Sequence, residues 1–255
     1  KTAYEIRNCD WSSDVCSSDL AVLDTFEKIQ GGKTSDRRNR VEHAQIIALD
    51  DIPRFGELGV IASMQATHAT SDKNMAEDRV GPERIKGGYA WRRMLNAGAV
   101  IAAGSDFPVE PSNPFYGLHA AVTREDRSGL PAGGWYPDQA LTREETLHSF
   151  TLGAAYAAHQ EDRLGSLEPG KWADFIMIDR DYFTCDASDI DDTVVLETWV
   201  AGKKVFDKVI VVAGCSADVV DGQALDFSRT AVVPIHNIIG RIYRNAVGHK
   251  KSGKD

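Results

Sequence analysis

Residues 99–106 read AVIAAGSD, an unbroken apolar run from Ala99 to Ala103 that stops at Gly104 and ends on Ser105 and Asp106. A strand half-exposed to water alternates apolar and polar residues. A continuous run instead predicts a strand covered on both faces, as in a parallel sheet. Two earlier stretches also read as short strands, RVEHAQ (40–45) and the apolar VIASMQ (60–65). Helix-like segments lie between them: DDIPRFGELG (50–59), whose Pro53 is tolerated near a helix start, and GPERIKGGYAWRRMLNAG (81–98), weakened by Gly87 and Gly88. Strand alternating with helix predicts an α/β fold on parallel strands. The polar and ionisable residues gather at the C-terminal strand ends: His43, then Gln65 with Thr67 and His68, then Ser105 and Asp106. Parallel α/β proteins assemble their active sites at that end.

On the N-terminal side, AVLDTFEKIQGG (21–32) places Ala21, Leu23, Phe26 and Ile29 near one helical face and stops at a glycine pair. On the C-terminal side come loop-like FPVEPSNPF and SGLPAGGWYPDQ, rich in Pro and Gly. Thr142 with Glu145 three residues on is a capping-box signature opening a helix through LHSFTLGAAYAAHQ. Near residue 163 the texture shifts to short β-rich pieces, GSLEPGKWADFIMIDRD and VVLETWVAGKKVF, which predicts a domain boundary there. Residues 207–255 carry no usable motif, and His236 and His249 within them read as solvated or structural.

The chain has 255 residues, 42% hydrophobic and 26% charged, the balance of an ordinary globular protein. A net charge of −9 argues against a nucleic-acid partner, which favours a basic face. No apolar run reaches membrane-spanning length; VIVVAG at 209–214 is strand-sized. Of four cysteines, Cys9 and Cys16 lie in the first twenty residues, and Cys185 and Cys215 are too few and too separated for a disulfide framework or a zinc knuckle.

The opening KTAYEIRNCDWSSDVCSSDL (1–20) has neither a helical nor an alternating pattern and reads as a polar loop, not as a secretory signal. It resembles a short-read sequencing adaptor translated in frame. On that reading residues 1–20 are foreign to the fold and the protein proper starts near Ala21.

His43 and Asp106 stand about two βα repeats apart, at ~30 residues each, so both project from strand ends into one shared mouth. Imidazole and carboxylate are common ligands of a catalytic divalent metal, which lowers the pKa of bound water. On spacing alone, a hydrogen-bonded core histidine is the commoner reading of His43.

RVEHAQ, THATSDKNMAEDRVGPER, AGSDFPVEPSNPF, ALTREETLHSFTLGAAYA and LGSLEPGKWADFIMIDRD, in this order over about 21–206, resemble the C-terminal half of a metal-dependent amidohydrolase, of the D-aminoacylase and exoenzyme-regulatory-protein group. The resemblance implies an α/β fold: the C-terminal portion of a (β/α)8 TIM barrel over 21–163, with part of a small β-sandwich over 164–206. It implies His43 as a metal ligand from the sixth strand. It gives Asp106, from the eighth, as metal ligand and general base. His68 and Asp72 fall on the substrate side, with a structural polar role an equal alternative. Arg79 and Glu83 become loop salt-bridge formers, and Gly170 and Asp174 turn residues. The implied reaction is hydrolysis of C–N bonds other than peptide bonds, with a divalent metal, zinc in expectation, activating water. The implied partner is a small-molecule substrate, not a membrane or nucleic acid; homo-oligomerisation of an intact parent is left open, and a cytoplasmic location is the expectation.

The chain departs from that family in having no His-x-His pair. A complete member carries this pair on the first strand, a bridging carboxylate on the fourth and a histidine on the fifth. The expectation is a parent cut short at its N-terminal side, with an unpaired sheet edge, an incomplete metal site and no activity of its own. The rival expectation is a fragment or regulatory relative that keeps the scaffold without the chemistry.

Overall fold

A computed structural model describes residues 15–208. VIVVAG at 209–214, Cys9, Cys215, His236 and His249 lie outside the described residues, as do residues 1–14 of the opening segment. The chain divides into two compact units between Ser166 and Leu167.

In the first unit, helix α1 (Val15–Gln30) ends at Gly31 and Gly32, whose φ angles of 66° and 71° supply the left-handed turn that stops it. The helix begins before Ala21, so the polar loop expected through Leu20 is helical from Val15 on. Extending an existing helix fixes one residue per added bond, which explains why a segment without apolar pattern can follow it. Strand β1 (Arg40–Glu42) leads through a 3₁₀ turn (Leu49–Asp51) to α2 (Ile52–Leu58), with Pro53 in its first turn and Gly59 at φ 65° as its stop. Strand β2 (Ile61–Met64) runs directly into α3 (Ala66–Asp72). Helix α4 (Ala76–Arg84) breaks at Gly81, a 3₁₀ turn (Ile85–Gly87) follows, and α5 (Trp91–Asn96) precedes β3 (Ile101–Ala103).

All three strands are shorter than the stretches that announce them. β1 stops at Glu42 because His43 and Ala44 take left-handed backbone, φ 71° and 44°. The strands form a parallel sheet in the order β1-β2-β3, with Val41 beside Ala62 and Ser63 beside Ala102. Their C-terminal ends therefore lie along one edge. Phe55, Ile46, Ile47, Ile61, Met94 and Trp91 are all buried in the first unit. Each large apolar side chain so covered contributes roughly 1.5–3 kcal/mol.

The single helix anticipated over 81–98 is two short ones with a bend between, and the cause is close backbone approach. Ile47 donates to the Gly87 carbonyl at 3.0 Å and Tyr89 to the Gln45 carbonyl at 2.7 Å. A Cβ on Gly87 would stand 1.8 Å from the Ile47 carbonyl oxygen. The glycines are contact surfaces for the segment after His43.

Helix α6 (Pro114–Thr123) occupies a stretch to which the sequence pattern assigns no element; the Asn113 side chain caps it by accepting from the Phe115 amide at 3.0 Å. The Thr142–Glu145 capping box is present and opens α7 (Arg143–His148). A π-helical turn (Ser149–Gly153) leads into α8 (Ala154–Ala157). Gly153 sits there because a Cβ would meet the Ile101 carbonyl oxygen at 2.3 Å. Arg79 and Glu83 belong to α4 and not to a loop, and Glu83 pairs with Lys86 at 2.7 Å.

The second unit holds an antiparallel sheet in the order β4 (Phe175–Ile178), β5 (Val195–Val200), β6 (Lys203–Asp207). Phe175 and Trp199 stack at 5.4 Å between ring centres. Gly170 takes φ 98°, and the Asp174 carboxylate accepts from the Ala201 amide at 2.6 Å, so both act at turns. Among the described residues, no helix is long and apolar enough to cross a membrane.

Candidate active site at the strand ends

Parallel pairing brings the ends of β1, β2 and β3 together, and the residues that follow them meet there. His43 follows β1; its amide donates to the Ser63 carbonyl at 2.7 Å, and its Nδ1 lies 2.9 Å from the Gln65 Oε1 at the end of β2. His68, one turn into α3, faces it with ring centres 5.7 Å apart. Asp106 follows β3 and places its Oδ2 3.8 Å from the His68 Nε2. His43 and Asp106, at φ 71° and 57°, are both non-glycine residues in left-handed backbone. Such conformations cost about 1–3 kcal/mol each and concentrate at functional sites.

Burial divides the group by task. The Asp106 side chain is 37% exposed and that of His68 only 8%. Burial holds the His68 imidazole below its ordinary pKa, with His43 adding to the effect and Glu110, Asp72 and Asp106 opposing it. Its Nε2 is buried without a hydrogen-bond partner, while its Nδ1 lies 3.1 Å from the Gln45 Nε2.

Asp72 shares the helix face of His68 one turn on, but its carboxylate accepts from the Tyr89 hydroxyl at 2.6 Å. Burial raises the Asp72 carboxyl pKa, with the Tyr89 bond opposing. Burial, then the same bond, raises that of Tyr89.

His43, His68 and Asp106 thus stand together, with Asp72 turned to Tyr89. Sequence reasoning passes over Gln45 and Tyr89, because a glutamine and a tyrosine carry no spacing signal. Their only trace is the Gly87–Gly88 pair that seats the backbone beside them.

As donors for a divalent metal these residues fit in kind, imidazole and carboxylate. They do not fit in number: among the described residues no group of three or more His, Cys, Asp or Glu is arranged to hold a metal ion. Further ligands would have to come from outside the described residues.

A sequence model described as amidohydrolase family matches residues 17–206. Protein LONG AFTER FAR-RED 3 of Arabidopsis thaliana is 35% identical over 187 residues, covering 72% of this chain and 32% of that protein. N-substituted formamide deformylase of Arthrobacter pascens is 30% identical over 189 residues, covering 73% and 34%. Among solved structures, an uncharacterized metal-dependent hydrolase from Pyrococcus horikoshii OT3 superposes with a TM-score of 0.58 at 32% identity, over 68% of this chain and 34% of that one. The chain thus spans about a third of the length of the curated relatives it matches. With the family match running over both units and the strand-end residues within it, the chain belongs to the amidohydrolase family.

Proposed function

We propose that this chain carries the last three βα units of a (β/α)8 barrel and the return into a β-sandwich, in a protein that hydrolyses C–N bonds other than peptide bonds. The observation that carries this reading is the delivery of His43, His68 and Asp106 to one sheet edge, two of them on left-handed backbone. His43 and Asp106 are the residues that would hold a divalent metal, zinc by the donor set. When bound, such a cation polarises a carbonyl and makes water acidic enough to deprotonate near neutral pH. Asp106, the exposed member, takes the proton from the attacking water and returns it to the leaving nitrogen. His68, 3.8 Å from Asp106, and Asp72, tied to Tyr89, are the residues that would meet the substrate. A small N-acyl, N-formyl or cyclic amide is the substrate class, supported by the similarity to a formamide deformylase.

The second reading, a scaffold without chemistry, is favoured by the lack of three metal donors among the described residues. The test is the longer protein that contains this segment, assayed with zinc on N-formyl and N-acyl amines. The enzyme reading predicts hydrolysis that Asp106→Asn slows by about 10²–10⁴-fold, the usual contribution of a general base. A zinc-loaded longer protein that does not hydrolyse these amides supports the scaffold.

A further inference from the structure

The two facing histidines differ in what holds them. Gln65 meets His43 through its carbonyl oxygen, which can only accept, so the His43 Nδ1 is the donor in that 2.9 Å contact. Gln45 meets His68 through its amide nitrogen, which can only donate, so the His68 Nδ1 is the acceptor in the 3.1 Å contact. In a neutral imidazole one nitrogen carries the proton, and each glutamine therefore decides where it sits.

We propose that Gln65 and Gln45 are positioning residues that set opposite tautomers on His43 and His68, so that His43 keeps a free Nε2 lone pair while His68 turns an Nε2–H toward the Asp106 carboxylate. The His68 Nε2 is buried, has no other partner, and lies 3.8 Å from Oδ2, so a small rotation of the exposed Asp106 side chain closes a hydrogen bond. With the other tautomer a lone pair would face the carboxylate, and the two would repel. Asp106 is thereby steered from behind by Gln45 acting through His68. The free Nε2 on His43 is the form in which a histidine ligates a metal, its other nitrogen donating to a neighbour.

The Gln45 arm is itself anchored. The Tyr89 amide donates to the Gln45 carbonyl at 2.7 Å, the Tyr89 carbonyl accepts from the Arg124 guanidinium at 3.1 Å, and the Tyr89 hydroxyl donates to Asp72. These bonds lock the loop from which Gln45 reaches His68.

The importance of an oriented Asp106 rests on the hydrolase reading; the tautomers do not. The experiment is ¹⁵N NMR of the imidazole nitrogens in the full chain, without metal or substrate, at about pH 8.5, two units above the ordinary imidazole pKa. His68 is expected to carry its proton on Nε2 and His43 on Nδ1. Gln45→Glu replaces a donor with an acceptor, so Nδ1 of His68 gains a proton. Gln65→Glu preserves an acceptor and leaves the Nδ1 of His43 protonated. One tautomer shared by both rings, a proton on the wild-type His68 Nδ1, or a bare Nδ1 in folded Gln45→Glu overturns the proposal. If Gln45→Glu does not fold, the wild-type spectrum alone decides. Failure here leaves the hydrolase reading standing, and failure of hydrolysis leaves the spectrum unchanged.

Discussion

Among the described residues of the first unit, Arg124 is the most heavily buried cation, with none of its surface exposed. It follows α6 in left-handed backbone at φ 60°, lies 4.2 Å over the Trp91 ring, and donates to the Trp135 carbonyl at 2.8 Å and the Tyr89 carbonyl at 3.1 Å. Burial pushes its pKa down to about 10, which leaves it charged at neutral pH. Each buried acceptor stripped of its donor costs roughly 1–3 kcal/mol. Arg124→Ala is therefore expected to lower stability by about 2–5 kcal/mol; a urea unfolding curve measures it, and a loss under about 0.5 kcal/mol, the level of a surface change, would contradict the assigned role. Glu161 offers a pH-dependent case. Its hydrogen bonds to Arg38 hold its carboxyl at about 2, below the ordinary 4.5. A carboxylate depressed in this way stabilises the fold fully above 4.5 and loses that contribution as pH falls toward 2. The stability difference between wild type and Glu161→Gln is accordingly expected to shrink across that window, and a constant difference would refute the pairing. Of the site, the strand-end placement of His43, His68 and Asp106 was legible in the local pattern, while the roles expected of them came from the family resemblance. Arg124, Gln45 and Tyr89 were not, since each meets its partner through a long-range backbone or amide contact that no spacing records.

The start of α7 lies where its sequence signal puts it. The Thr142 hydroxyl accepts from the Glu145 amide at 3.2 Å while the Glu145 carboxylate accepts from the Thr142 amide at 2.8 Å, so Thr142→Ala is expected to cost about 0.5–2 kcal/mol. Glycine positions separate into contact surfaces and free turns. Gly87→Ala drives a methyl into the Ile47 carbonyl and is expected to cost roughly 1–3 kcal/mol, whereas a Cβ on Gly104 meets nothing within 4 Å. Thermal melts of the two variants compare them directly, and equal losses would show that the Gly87 contact carries no weight. The parallel direction of the strands was readable from AVIAAGSD and its two companions. Strand length was not, because whether His43 and Ala44 continue β1 or turn out of it depends on neighbours distant in sequence. Helix α6 carried a start signal, Asn113 before Pro114, hidden between proline-rich stretches that read as loop.

At the scale of the molecule, three parallel strands and their helices form one unit and a three-stranded antiparallel sheet another, dividing at Ser166 and Leu167. The change of texture near residue 163 was visible because β-rich segments with glycine turns replace the helical pattern. The family match covers both units, yet the chain spans about a third of its curated relatives. The described residues supply imidazole and carboxylate at one edge without a set of three. His43 and Asp106 alone would leave half of the four-coordinate shell that zinc takes in proteins to solvent, where catalytic sites supply three protein donors, so zinc retention by this chain is expected to be weak. The direct test is elemental analysis of the full 255-residue chain, saturated with zinc and then desalted. Far less than one zinc per chain is the predicted result, and one tightly retained zinc per folded monomer would contradict the account.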